Sequence, residues 1–238
     1  MKDKDFQMSD SPKNIFRPIP DFPGWTMVNV PGGRSKKHPT GYAILKQEGR
    51  NDCMIVNLKS NGDILYVAMI SIEYVRPILN AYQTLYILFK ESKKKNKKNE
   101  QDEQSEFTPI GKLWSGDTRT LGMALIHEFS GDTIDPHWYP HHPDGDPTND
   151  LDVIPVNQSV HGLFHKHVRP NTTPEEIEHI AYRSGNEDFI RYYSCRENWG
   201  KYSPKTYDMC QEIHEKDFFG KMSWDDYCAL INAIRNEF

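Results

Sequence analysis

Apolar and polar positions divide the chain into stretches of different period, and the first of these read as strands. Trp25–Val30, Tyr42–Gln47 and Cys53–Leu58 are short apolar-rich runs, each bounded by Gly, Pro or Asn. Asn61-Gly62 lies between two apolar runs and predicts a hairpin, because both residues tolerate the positive φ that a tight two-residue turn requires. These runs predict a small antiparallel β module. From Pro77 to Phe89 the residues Ile78, Leu79, Tyr82, Leu85, Tyr86 and Phe89 recur at helical spacing, with Pro77 suited to a first turn. An amphipathic helix is therefore predicted to follow the sheet.

The pattern then breaks. Residues 91–106, ESKKKNKKNEQDEQSE, carry five Lys and five acids and no apolar side chain, which reads as a charged linker or exposed loop. Leu121–Phe129 is a short apolar helix, and Val153–Val156 a short strand or strand end. A helix is expected from Asn157 to about Val168. Thr173-Pro174-Glu175-Glu176 is a capping box with Pro at the first helical position, opening a helix to about Arg183. Ser203-Pro204, and Ser223 with Asp226, start two further helices. The expected fold class is α+β, with four regions: a β module with its helix over 1–90, the linker over 91–106, a histidine-rich core over 107–170 and a helical extension over 171–238. No internal repeat is visible.

Composition excludes several classes. The 238 residues include 11 Phe, 12 Tyr and 5 Trp, more bulk than a disordered chain carries. The longest apolar stretch, Ile64–Ile72, is short of the ~20 residues of a membrane span. The start, MKDKDFQMSD, alternates charges where a signal peptide needs an apolar core, so an intracellular protein, neither secreted nor membrane-bound, is expected. Cys53, Cys195, Cys210 and Cys228 form no CxxC pair and read as free thiols.

The net charge of −5 is unevenly spread. Residues 12–50 hold Lys13, Arg17, Arg34, Lys36, Lys37, Lys46 and Arg50 against only Asp21 and Glu48, whereas residues 171–238 are acidic. A polyanion would meet the N-terminal part, since Lys and Arg neutralise phosphates and release counterions. The acidic helices are the candidate surface for a protein partner.

The chemistry concentrates later. Six of the ten histidines lie between 137 and 167, in HWYPHHPDGDPTNDLDVIPVNQSVHGLFHKH. His141 and His142 end an aromatic stretch, and Pro143 to Asp150 is a loop of bend-forming residues. On the expected helix His161 and His165 fall four apart, on one face. Two histidines at a strand end opposite histidines on a following helix make a nitrogen-rich cup, with Asp144, Asp146 and Asp152 nearby. That is the outline of a divalent-metal site. No HExxH, Gly-rich phosphate loop or GxSxG elbow competes with it.

HHPDGDPTND followed by DVIPVNQSVHGLFH resembles the ββα-metal core of HNH endonucleases, whose usual run is similar to HHIDGDxxNN, then NLxxLCxxCH, then a last His. FRPIPDFPGWTMVNVPGGR, from Phe16, resembles the small β module that accompanies such domains in phage and homing-type nucleases, and GMALIHEF at 122–129 is similar to the apolar helix placed before the HNH loop. The resemblance implies a ββα-metal (HNH) core in which His142 is the general base and His141 and His161 are metal ligands, with His165 as a further candidate ligand. The family's middle Asn, which holds the catalytic loop, corresponds to Asp152 or to Asn149. A neutral imidazole, with its ordinary pKa near ~6.5, can take a proton from water. One divalent ion (Mg, Mn, Zn or Ni) would stabilise charge on the phosphate and on the departing 3′ oxygen. Asn157 and Val160 stand where the family's cysteines would, so no structural zinc is expected.

The implied function is metal-dependent hydrolysis of double-stranded DNA, with Arg34, Lys36, Lys37 and Lys166 contacting phosphates. The alternative is a non-cleaving HNH fold that serves as a nucleic-acid-binding or structural subunit of a nucleoprotein assembly. A third reading is a metal-binding protein unrelated to nucleic acid, and metal content measured beside plasmid nicking separates the three.

Overall fold

In the computed structural model, residues 16–32, 41–58, 64–90, 106–131, 133–142, 146–151, 153–158, 161–162, 173–185, 187, 190 and 223–237 are described. Strands β1 (Arg17–Pro18), β2 (Trp25–Pro31), β3 (Gly41–Gln47), β4 (Asp52–Leu58) and β5 (Ile64–Ser71) form one antiparallel sheet in sequence order. The expected strands and the β4–β5 pairing are present, while the Asn61-Gly62 turn itself lies outside the described residues.

The central strands are apolar at nearly every position because both sheet faces are covered. On one face Tyr42, Ile44, Cys53, Ile55 and Ile70 pack with Ile78, Leu79, Leu121 and Leu125. On the other, Met27, Leu45, Met54, Tyr66 and Met69 pack with Leu230 and Ile234. A bulge at Ile55/Val56 shifts the β4–β5 register, so that Ile55 faces Ala68 and Val56 faces Tyr66. Cys53 is a buried free thiol whose pKa burial pushes up to about 12.

The helix expected over Pro77–Phe89 is corrected by the structure. A 3-10 turn (Ile72–Tyr74) leads into α1 (Val75–Ala81), and the chain then straightens into β6 (Tyr82–Lys90). Pro77 does sit in the first turn of α1. The run from Tyr82 satisfied a helical template because it is almost continuously apolar, and its aromatic and branched residues favour a strand once a partner exists. That partner is β7 (Glu106–Leu113), which pairs antiparallel with β6 and with β8 (Thr118–Thr120). Gly111 is required in β7, since a Cβ there would stand 2.3 Å from the Thr84 carbonyl oxygen. Most of the charged segment, residues 91–105, lies outside the described residues.

α2 (Leu121–Ala124) continues into a π-helical turn (Leu125–Phe129), and a separate hairpin of β9 (Trp138–His141) and β10 (Ile154–Asn157) follows. The strand after Asp152 is thus present, and helical residues 158, 161 and 162 follow it. The capping box at α3 (Pro174–Ser184) is complete: Glu176 N–H donates to Thr173 Oγ1 at 3.3 Å and Thr173 N–H to Glu176 Oε2 at 2.8 Å. Ser223 caps α4 (Trp224–Glu237) by accepting from Asp226 N–H at 3.1 Å. The Ser203-Pro204 start, Cys195 and Cys210 lie outside the described residues. The fold is α+β, with antiparallel sheets and a few helices. Among the described residues no helix is long and apolar enough to cross a membrane.

Candidate active site

The β9–β10 hairpin sets the geometry of the histidine segment. Ile154 faces His141, Val156 faces Tyr139 and Asn157 faces Trp138. Strand alternation puts Tyr139 and His141 on one side of the hairpin and Pro140 on the other. The Pro140 side lies against α2, where a Cβ on Gly122 would meet Pro140 Cβ at 3.0 Å, so glycine permits the close approach. His127, in the π-helical turn, donates from Nε2 to the Trp138 carbonyl at 2.8 Å and fixes the start of β9.

His161 brings its ring to the Tyr139 and His141 side. Its centroid lies 5.6 Å from that of His141, with the planes 80° apart. It also stacks on Tyr139 at 6.3 Å and 11°. His141 is buried.

Between the strands, residues 146–151 fold back on the large sheet. Asp146 is fully buried, and its carboxylate accepts from Thr148 N–H at 3.0 Å and Thr148 Oγ1 at 2.7 Å. The Met69 N–H donates to the Thr148 carbonyl and the Asp150 N–H to the Met69 carbonyl, both at 2.9 Å, so the loop covers the edge of β5. Tyr66 Oη also donates to the Thr148 carbonyl, at 3.2 Å. The loop is therefore anchored by the core of the N-terminal sheet.

This anchoring presents Asp150 to His142. His142 Nε2 lies 2.9 Å from Asp150 Oδ1, with the Asp150 side chain 1% and the His142 side chain 15% exposed. When the Asp150 carboxylate is ionised it only accepts, and Nε2 then carries the hydrogen while Nδ1 is the basic nitrogen. The dyad lies in a charged neighbourhood. Burial holds the Tyr82 phenol above its ordinary pKa, with Arg119 opposing that shift and Asp150 adding to it. Arg119 in turn is ion-paired with Glu128 of the π-helical turn.

The structure thus brings together His141 with His161, and His142 with Asp150. Asn149 turns inward on its own loop, its Oδ1 accepting from Leu151 N–H at 3.4 Å. Asp146 serves its own turn rather than standing as a bare carboxylate beside the cup. Asp144, Asp152, His165, Lys166, Arg34, Lys36 and Lys37 lie outside the described residues. Asp150 is the residue that sequence reasoning missed, because its loop was read as a set of bends. Its signal was a carboxylate closing the run of turn formers that begins at Pro143, four residues before the strand at Ile154.

Among the described residues, no three His, Cys, Asp or Glu side chains are grouped so as to hold an ion. An open cleft of about 560 Å³ beside the β1–β2 turn, lined by Phe16, Ile19, Phe22, Trp25 and Lys46 among others, shares no residue with this site. Compared with family models, curated proteins and solved structures, the chain matches none of them.

Proposed function

We propose that the chain is a metal-dependent HNH-type endonuclease that hydrolyses DNA phosphodiesters, with β9, β10 and the helical segment carrying His161 as its ββα-metal core. The observation that carries this reading is the 2.9 Å contact between His142 Nε2 and Asp150 Oδ1, one residue along the chain from the His141–His161 pair. A lone histidine has many uses. An imidazole hydrogen-bonded through one nitrogen to a buried carboxylate is oriented to move a proton.

In this mechanism Asp150 fixes the tautomer and plane of His142. His142 Nδ1 takes the proton of the attacking water as its oxygen bonds to phosphorus and the bond to the 3′ oxygen breaks. The imidazolium that forms is stabilised by the Asp150 charge.

His141 and His161 would hold the ion. Two imidazoles sharing an ion through bonds of ~2.1 Å place their centroids about 5 Å apart, close to the 5.6 Å seen here. Their nitrogen donors suit Zn, Ni or Mn, with Mg admitted by the family resemblance. Bound there, a divalent ion supplies stabilisation of charge on the phosphate and the leaving oxygen. The basic residues Arg34, Lys36, Lys37 and Lys166 would contact duplex phosphates, leaving the acidic C-terminal helices for a protein partner.

Incubating the purified chain with supercoiled plasmid and each of Mg, Mn, Zn and Ni tests the reading. Nicking that a chelator abolishes and added metal restores is the expected result. Plasmid binding without nicking under every ion would instead assign the fold to a non-cleaving nucleic-acid-binding subunit.

A further inference from the structure

The third ring on this side of the hairpin belongs to a residue that takes no part in the mechanism above. Tyr139 precedes His141 by two positions on β9, so both side chains project from the same face. Its backbone is held opposite Val156 of β10, and the residue is 38% exposed. The Tyr139 ring lies almost parallel to that of His161, 11° between planes and 6.3 Å between centroids, while His161 meets His141 nearly at right angles. Ring pairs with centroids ~4.5–7 Å apart attract one another, and they restrict rotation of a ring about its own side-chain bonds. A histidine ring has two side-chain torsions, and each contact with a neighbouring ring narrows both.

We propose that Tyr139 is a positioning residue for the metal pair: its ring holds the His161 imidazole in the plane from which it can share an ion with His141. The inference rests on the two-histidine metal site proposed above. It assigns Tyr139 no contact with the ion and none with the reacting phosphate. What Tyr139 contributes is preorganisation, the locking of a ligand's orientation by a neighbour that does not itself bind.

Manganese binding is measured by calorimetry on the full chain, for the parent, Tyr139→Phe, Tyr139→Val, Tyr139→Thr and His161→Ala, with thermal melting alongside. Tyr139→Phe keeps the ring and should bind as the parent does. Tyr139→Val and Tyr139→Thr keep a strand-forming side chain and should bind about three- to tenfold more weakly, the worth of one lost ring contact. A purely structural role would lower the melting temperature of the Val and Thr variants and leave the affinity of the folded protein unchanged. Equal affinity in parent, Phe, Val and Thr variants, with His161→Ala weakened, overturns the role of Tyr139 and leaves the metal site standing. If His161→Ala binds as the parent does, or the parent binds no manganese, the two-histidine site falls and this inference falls with it. Two substitutions at the half-exposed strand position guard against one that folds poorly.

Discussion

Replacing Asp150 by Asn removes one charge from the dyad while keeping its shape. The amide oxygen still accepts from His142 Nε2–H, so the ring keeps its orientation and the loss is electrostatic. With Nε2 and Oδ1 2.9 Å apart, the charge centres of an imidazolium and the carboxylate are about 4 Å apart. At an effective dielectric of ~20 such a pair attracts by about 4 kcal/mol. Since ~1.4 kcal/mol is tenfold in rate, the ceiling on the loss is about 10³-fold. The partial exposure of His142, 15% of its side chain, admits some screening, and a loss of about 10²-fold is expected, within the range for general-base catalysis. The assay is single-turnover nicking of supercoiled plasmid at saturating manganese, across the pH range where imidazole titrates. Circular dichroism and thermal melting establish that the variant folds. A folded Asp150→Asn protein that cuts within about threefold of the parent, with the same pH profile, would refute the proton-transfer role of the dyad.

Further outcomes follow from packing and charge. Gly122→Ala gains about 0.5–1 kcal/mol of helix propensity but places a Cβ 3.0 Å from Pro140 Cβ and 3.4 Å from Asp150 Oδ1. Overpacking at about 1–3 kcal/mol outweighs the gain, so thermal melting should fall by several degrees and nicking should fall with it. Asp52 is partly buried, which works against its charge, yet its hydrogen bonds from Arg50 hold its pKa below the usual carboxylate value. A lowered native pKa means that the stability it contributes is complete above the unfolded value of ~3.9 and is lost as pH falls through the native one. Asp52→Asn should therefore cost up to about 1 kcal/mol in urea unfolding at neutral pH, and the difference from the parent should close in acid. Substituting Lys36 and Lys37 together by Ala should reduce the salt slope of DNA binding by about 2, as expected for two lost phosphate contacts, and leave the pH dependence of nicking unaltered.

The strands that sequence revealed were those whose signals are local. β2, β3 and β4 are bounded by Gly, Pro or Asn, and the α3 cap depends on residues three apart, Thr173 and Glu176. β6 was hidden because its identity depends on a partner across residues 91–105, and a local window cannot see that Tyr86 pairs with Ile110. β7 was hidden too. Pro109 and Gly111 break the usual strand pattern, although Gly111 is what lets β7 approach Thr84. In the site, His141, His142 and His161 were legible as residues clustered around a predicted strand and helix. Asp150 was not, because its direction is set by hydrogen bonds from a distant element: Met69 and Tyr66 on β5 hold the Thr148 carbonyl, and the Met69 carbonyl holds the Asp150 N–H. The anchoring of that loop is a tertiary fact, and the carboxylate facing His142 follows from it.

The most direct measurement compares the single-turnover nicking rate of the parent with that of His142→Ala at saturating metal and DNA. A loss of about 10²–10⁴-fold in rate is expected, with DNA affinity and manganese affinity unchanged. A His142→Ala protein that nicks plasmid as fast as the parent would contradict the general-base role of His142.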